Sequence, residues 1–386
     1  MKLSISHFAQ IAKAEIDFGK PGDLTLLVGQ QATGKSLVLQ WLKLMCDRPK
    51  IREDWNRYGT NWRVPGDTTR ELDAFFGEGL GAGYSASETI IKLDQKNFLL
   101  NAKSVSQQNP KESVYFIPAQ RALLMADGWP RPFSSYVRGT PYVARAQSER
   151  LVQWLGNGQE TIFPIPRKFP EGLRDRLTQT IFHGASVQAD RQSTESRLLL
   201  KIDSGKQTQI PYMAWTAGQR EFVPLLMALY RLLPSSKVSK VSEIDTVVIE
   251  EPELGLHPKA VFALGHAVLH LMSRGYRVAV STHSPLMLDF AWTLRRLKKL
   301  HEQGDHSLRP WREALEINSP LANKLLTSTV RTYFMGYKSD NTVVAQDISE
   351  LRTNSNDPAE AAWGLMQEDA IRMADIVSQM NLNFQD

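Results

Sequence analysis

Gly29-Gln30-Gln31-Ala32-Thr33-Gly34-Lys35-Ser36 follows the apolar run Leu24-Thr25-Leu26-Leu27-Val28 and precedes Leu37-Val38-Leu39-Gln40-Trp41-Leu42. A G-x-x-x-x-G-K-S loop therefore stands between a strand and a helix, the context such a motif requires. Gly29 and Gly34 let the backbone curl around an anion with its N–H groups turned inward, and the helix beginning near Lys35 adds the positive end of its dipole. In such a loop Lys35 holds the β- and γ-phosphates of a nucleotide and the Ser36 hydroxyl ligates Mg²⁺, with Gln30, Gln31, Ala32 and Thr33 completing the cradle. ATP and Mg²⁺ are the cofactors this predicts.

A second stretch far along the chain, Thr246-Val247-Val248-Ile249-Glu250-Glu251-Pro252, answers the first. Its near-continuous apolar run is of the kind a parallel sheet buries on both faces, and Arg277-Val278-Ala279-Val280-Ser281-Thr282 holds another. Between them Pro258 opens and Gly275 closes a helix rich in alanine, leucine and valine, so the segment is a β-α-β unit. Glu250 at the strand end is placed to bind Mg²⁺ directly or through water, and Glu251 beside it to orient the water that attacks a γ-phosphorus. Alone, the pair would be a solvated strand end. With the phosphate loop in the same chain the chemical reading prevails.

The totals are consistent with a globular protein. In 386 residues the hydrophobic fraction is 42%, enough for a large core. The single cysteine, Cys46, excludes an intramolecular disulfide and a multi-cysteine zinc site, and fits a reducing compartment, so a cytoplasmic location is expected. No segment has the length and apolarity of a membrane span, and Met1-Lys2-Leu3-Ser4-Ile5-Ser6-His7-Phe8 alternates too much for a signal peptide. A net charge of +5 permits contact with nucleic acid or an acidic partner without demanding it. The densest basic cluster, Arg295-Arg296-Leu297-Lys298-Lys299, reads either as a solvated helix face or as a phosphate-contacting patch.

Residues 2–8 and 12–18 alternate as two strands and open the chain with a β-layer. Residues 48–87 are polar and glycine-rich with scattered aromatics, and read as an insertion with its own small contacts. Glu88-Thr89-Ile90-Ile91-Lys92-Leu93 and Asn97-Phe98-Leu99-Leu100-Asn101-Ala102 predict a hairpin, and Val114-Tyr115-Phe116-Ile117 a further strand. Residues 122–195 read as a mainly helical insert lobe. Residues 198–213 read as a second hairpin, leading into Trp215-Thr216-Ala217-Gly218-Gln219. Residues 301–386 read as a mainly helical C-terminal region, with a helix over 358–380 whose stripe of Ala362, Met366, Met373, Val377 and Met380 belongs to a core. The expected organisation is an ATPase domain composed of residues 1–121 and 196–300, with the lobe inserted between them.

Taken in order, the phosphate loop, Pro118-Ala119-Gln120-Arg121 after a strand, Thr216-Ala217-Gly218-Gln219, Glu250-Glu251-Pro252-Glu253-Leu254-Gly255-Leu256-His257-Pro258 and Ser281-Thr282-His283-Ser284-Pro285 resemble the ABC-type ATPases of the SMC and DNA-repair kind. The resemblance is greatest to their bacterial defence relatives of the OLD, Septu and PARIS type. It covers residues 1–47, 88–121 and 196–290. It implies an α/β fold: an ABC-type P-loop NTPase head with an N-terminal β-layer, a mixed or parallel core sheet and a helical lobe. It implies Glu251 as catalytic base, His283 as the switch histidine that contacts the γ-phosphate and the attacking water, Gln120 as a link between Mg²⁺ and the helical lobe, and Ser36 and Glu250 as metal ligands. Glutamate at position 250 departs from the aspartate common in the wider family. In Thr216-Ala217-Gly218-Gln219 alanine replaces the first glycine of the usual signature, while the hydroxyl, Gly218 and Gln219 remain. The helix start there is an anion site, which in relatives faces the γ-phosphate of a second copy. A head-to-tail, ATP-sandwiched homodimer is thus implied, with residues 253–257 lying across the same interface.

No Asp-x-Asp pair of the kind a TOPRIM nuclease carries follows His283, so no nuclease domain is expected in this chain. The reading is an ATPase that serves as sensor or scaffold of an anti-phage defence complex and controls a separate effector, a nuclease or toxin. The alternative is a DNA-repair or recombination ATPase that grips duplex DNA itself. A membrane partner is not expected.

Overall fold

The computed structural model describes all residues except 61–67, 99–108, 138, 192–195, 204–206, 234–239, 353, 366–371 and 374–386. The chain opens with β1 (Lys2–Phe8) and β2 (Ile11–Asp17), then β3 (Leu24–Val28), α1 (Lys35–Arg57) and α2 (Thr68–Phe76). The hairpin of β4 (Ile90–Leu93) and β5 (Lys96–Asn97) follows, then β6 (Val114–Ile117) and the short pair β7 (Met125–Ala126) and β8 (Trp129–Pro130). The lobe adds α3 (Tyr142–Gly156), β9 (Thr161–Phe163), α4 (Glu171–Leu177), β10 (Ser186–Asp190), β11 (Arg197–Asp203) and β12 (Gln207–Pro211). From there run α5 (Ala217–Leu232), β13 (Thr246–Glu250), α6 (Pro258–Ser273), β14 (Arg277–Ser281), α7 (Pro285–Glu302), α8 (Arg309–Leu315), α9 (Ser319–Leu325), β15 (Val330–Tyr337), β16 (Val343–Asp347) and α10 (Pro358–Ala361).

Ten strands form the main sheet in the order β5-β4-β1-β2-β16-β15-β3-β14-β13-β6. Neighbours among β6, β13, β14, β3 and β15 are parallel, while β1 pairs antiparallel with β2 and β4, and β16 antiparallel with β15. Every residue of β3, β13 and β6 is buried, as strands covered on both faces must be. Alternate side chains of these strands enter two separate cores: Leu26, Ile117, Ile249 and Val280 lie on one face, Leu27, Phe116, Val248 and Ala279 on the other. The α/β class with a mixed sheet is therefore observed.

The second core is aromatic. Trp41 of α1 meets Phe8 edge-on at 5.0 Å and Phe76 at 5.0 Å, and Trp55 meets Tyr142 at 6.0 Å. Phe75 and Trp55 are fully buried in this cluster, so residues 48–87 are not the self-contained insertion the composition suggested. Trp62 of that stretch lies outside the described residues. Helix α1 kinks at Asp47, two residues before Pro49. The Asp47 carboxylate accepts from Lys43 Nζ at 2.7 Å and from the Ser113 and Val114 amides, which pins the bend to the start of β6.

Two regions differ from the sequence-based expectation. The lobe carries a four-stranded antiparallel sheet, β12-β11-β10-β9, beside its helices. The predicted hairpin of residues 198–213 belongs to that sheet, its turn lying outside the described residues. The C-terminal region, read as mainly helical, supplies β15 and β16 to the middle of the main sheet, where β15 pairs with β3 and β16 with β2. Without them the N-terminal β-layer would have no strand linking it to the parallel strands. Of the helix predicted over 358–380, α10 covers Pro358–Ala361, and Met366, Val377 and Met380 lie outside the described residues.

Candidate functional site

Parallel strands end on one side, and the register decides what meets there. Glu250 pairs with Ser281 and Ser281 with Leu27, so the ends of β13, β14 and β3 lie side by side with the end of β6 beyond β13. The phosphate loop, Glu250-Glu251, Thr282-His283 and Pro118-Ala119-Gln120-Arg121 are therefore neighbours at the carboxyl edge of the sheet, the usual place for a ligand in an open α/β sheet. Sequence separation is cancelled by strand order.

The loop is held from outside. Ala32 sits in the left-handed region with φ 59, and its carbonyl accepts from Tyr337 Oη at 2.9 Å and from Gln10 Nε2 at 3.0 Å. Gly29 has φ 142, and a Cβ there would lie 2.2 Å from the Met335 carbonyl oxygen. Strand β15 thus braces the loop, a role no motif in the sequence announced. Gln30, Gln31 and Ala32 are exposed, Thr33 is buried, and Gly34 with φ 82 starts α1. Lys35 is buried, and its ammonium donates to the carbonyls of Gly29 at 2.9 Å and Gln30 at 2.7 Å. Burial pushes its pKa down to about 8, against the pull of Glu251 and Glu253.

Glu250 is buried at the strand end. Burial pushes its carboxyl up to about 7, opposed by hydrogen bonds from Ser36 and from the Ala119 amide. One oxygen accepts from Ala119 N–H at 3.3 Å; the other, Oε1, has no hydrogen-bond partner among the described residues. A buried carboxylate oxygen left unpaired beside a helix-start hydroxyl is a costly arrangement that a hard cation would relieve. Ser36 and Glu250 therefore fit Mg²⁺, with phosphate and water oxygens as the remaining ligands. Among the described residues no group of three or more His, Cys, Asp and Glu side chains is placed to hold a metal.

Glu251 is set apart from its neighbour by backbone as well as environment. It takes φ 42, a strained value for a side chain branching beyond glycine, and its N–H donates to the Ser281 carbonyl at 2.8 Å. Its carboxylate lies 3.4 Å from His283 Nε2, and that contact holds its pKa below the usual carboxylate range, with Lys35 and Arg121 adding positive field. The two adjacent acids are thus separated in role: one buried and short of a partner, the other partly exposed and ionised.

Two residues organise this pair, and motif reading had given neither that task. Glu253 Oε1 accepts from the His283 amide at 2.6 Å and from Thr282 Oγ1 at 2.7 Å, fixing the loop that carries the histidine. Arg121 is completely buried. Its guanidinium donates to the carbonyls of Pro118 at 3.1 Å, Glu250 at 2.7 Å, Glu251 at 3.1 Å and Glu221 at 3.0 Å. The Glu221 carboxylate accepts from the Arg121 and Ala122 amides at 2.9 and 3.2 Å. Glu221 stands in the first turns of α5, so one side chain ties that helix to the backbone of both acids. Gln120, at the same turn, is exposed.

Thr216 caps α5 in a reciprocal box: its hydroxyl accepts from Gln219 N–H at 3.3 Å while Gln219 Oε1 accepts from Thr216 N–H at 3.2 Å. Gln219 Nε2 donates to the Ile181 carbonyl at 3.3 Å, so this side chain is engaged within its own chain. Thr216 and Ala217 are exposed, and Gly218 is buried against the 251–257 turn, where a Cβ would fall 2.4 Å from the Gly255 carbonyl oxygen. Glycine at 218 is a packing requirement.

Residues 160–289 match the family model described as "AAA domain, putative AbiEii toxin, Type IV TA system". The match takes in Thr216 to Gln219, Glu250, Glu251 and His283, covers less than half of the chain, and does not reach the phosphate loop. No curated protein matches in sequence. Among solved structures, the chain overlaps the SmcHead bound to the C-winged helix domain of ScpA with 10% identity over 90% of this chain and 96% of that one, at a TM-score of 0.42. It overlaps the SMC head domain from Thermotoga maritima with 11% identity over 90% and 97%, at a TM-score of 0.36. Superpositions this loose transfer neither detail nor function. Among the described residues, no helix is long and apolar enough to cross a membrane.

Proposed function

We propose that the chain binds ATP with Mg²⁺ at the Gly29 to Ser36 loop, hydrolyses it, and uses the bound nucleotide to close two copies head to tail. The observation that carries this reading is the unpaired Oε1 of buried Glu250, beside Ser36 and one loop away from Lys35. Loop N–H groups and Lys35, drawn off the Gly29 and Gln30 carbonyls, hold the polyphosphate. Mg²⁺ bound by Ser36 and Glu250 would supply charge neutralisation of the phosphate oxygens. Glu251 accepts a proton from the water that attacks the γ-phosphorus, breaking the bond to ADP, and His283 positions both. Glu253 keeps His283 in place.

The exposed start of α5 meets the nucleotide of the second copy. The exposed Thr216 hydroxyl, which accepts from Gln219 N–H and keeps its own O–H to donate, and the positive end of the helix make that contact. ATP then touches both copies and favours only the closed pair, ordinary linkage by which a separate effector, a nuclease or toxin of a defence complex, is held or released. The match to an AAA-domain model over residues 160–289 supports the ATPase part of this reading. Direct capture of duplex DNA is the weaker alternative: Arg295 and Lys298 of the basic cluster donate to the Val330 and Ser328 carbonyls, which engages half of its cations within the chain. The test is size-exclusion of Glu251→Gln protein with and without ATP and Mg²⁺. A doubling of mass on ATP addition is expected, and a monomer under all conditions would overturn the sandwich.

A further inference from the structure

We infer a second anion site, for a nucleotide-like molecule, in the pocket between α7 and the residues Glu350, Leu351, Arg352 and Trp363. The pocket has a volume of about 420 Å³ and is lined by Trp292, Arg295, Arg296, Lys299, Arg352 and Trp363, with Glu350 as its acid. That size lies in the range of small-molecule sites. It does not belong to the phosphate loop. Arg295 donates to the Val330 carbonyl, and Val330 pairs with Leu24 at the start of β3, whereas the loop follows Val28 at the other end of that strand.

The charges are unbalanced in one direction. Glu350 is paired with Arg295, and Arg352 with Glu360 at 3.2 Å. Arg296 and Lys299 are exposed, and among the described residues neither has a hydrogen-bond or ion-pair partner. Trp292, Arg296 and Lys299 recur at helical spacing along one face of α7, so a ring and two free cations are presented together. Trp292 is 40% exposed, and its ring lies 6.2 Å from that of Trp363. Trp363 is buried at 7% exposure, and among the described residues its indole Nε1 has no acceptor. Free cations suit phosphate oxygens and an exposed indole suits a flat ring. A nucleoside monophosphate offers both. The same unit is presented by a free nucleotide and by the 5′ end of a single strand.

This site stands independently of the reading of the phosphate loop, and calorimetry with AMP on the full chain separates the two. AMP is expected to bind wild type and Lys35→Ala alike, and to lose at least tenfold in affinity in Arg296→Ala/Lys299→Ala, where both substituted residues are exposed. Trp292→Leu should weaken AMP but not inorganic phosphate. Loss of AMP binding in Lys35→Ala, or unchanged binding in the double variant, would overturn the assignment. A 5′-phosphorylated ten-nucleotide oligothymidylate that displaces AMP would identify the source as a strand end. Failure to displace it, with AMP bound, would identify a free nucleotide.

Discussion

The main sheet and the sheet of the lobe divide the work between them. Parallel strands buried on both faces in the main sheet bring residues from distant parts of the chain to one edge, where Lys35, Ser36, Glu250, Glu251 and His283 gather. Among the described residues the antiparallel β12-β11-β10-β9 sheet gathers no such cluster and instead leads into the exposed start of α5. On the proposed reading, phosphate chemistry falls to one sheet and contact with a second copy to the other. Arg121, reaching from the Glu221 carbonyl to those of Glu250 and Glu251, is the joint between them. One buried guanidinium thus ties the helix to the backbone of both acids.

That division can be broken at either side or at the joint. On the main sheet, Glu251→Gln should slow ATP hydrolysis by about 10²- to 10⁴-fold while leaving ATP binding intact, measured by phosphate release and equilibrium binding. At the joint, Arg121→Ala strips four carbonyls of their donor, removes the ion pair to Glu221 at 3.9 Å, and should lower unfolding free energy by about 3 kcal/mol, read by denaturant titration. Arg121→Lys, which keeps the charge but not the fork, should lower hydrolysis more than it lowers ATP affinity. Equal loss in both would remove the idea of a joint. Lys35→Ala should weaken ATP binding by about two orders of magnitude, the scale of ~2–3 kcal/mol for charge-assisted bonds.

The seam between α6 and the lobe gives a pH test. His266 on α6 is buried against Phe262 and Phe290, and burial pushes its pKa down to about 3, with Arg176 of the lobe adding to the fall. The folded-state value is depressed, so neutral His266 contributes stability above the unfolded pKa of about 6.5, and this is lost as pH falls towards 3. Thermal melts between pH 7 and pH 4 should show a declining midpoint, and His266→Phe should flatten the decline. Smallest of all, Tyr337→Phe should cost about 1 kcal/mol through loss of its bond to the Ala32 carbonyl and lower ATP affinity a few-fold, because Gln10 still donates there.

The main sheet was more legible than the lobe for a physical reason. Phosphate binding demands fixed residue types at fixed spacing, so Gly29, Gly34, Lys35 and Ser36 announced themselves, and the buried strands on either side read as apolar runs. Glu253 stood within a recognisable block, yet its partners Thr282 and His283 come from the next strand's end, and only the register shows them together. Arg121 was visible beside Gln120, but a guanidinium that spends its donors on backbone carbonyls leaves no trace in side-chain pattern. In the lobe, β9 is a three-residue strand, too short for any period. The sequence of β15, Val330-Arg331-Thr332-Tyr333-Phe334-Met335-Gly336-Tyr337, is rich in β-branched and aromatic residues and carried a usable signal, which the methionine stripe after it obscured.

The placement of β15 and β16 has a consequence for biosynthesis. On the ribosome, β2 and β3 emerge long before the strands that join them, so β2 waits beside an empty lane until β16 has left the exit tunnel, and β3 keeps a bare edge until β15 has. Such long-range closure is slow and leaves hydrogen-bonding edges open to wrong partners in the interval. A nascent chain stalled near residue 300 would hold nearly all the motifs of the nucleotide site and lack the two strands that brace it.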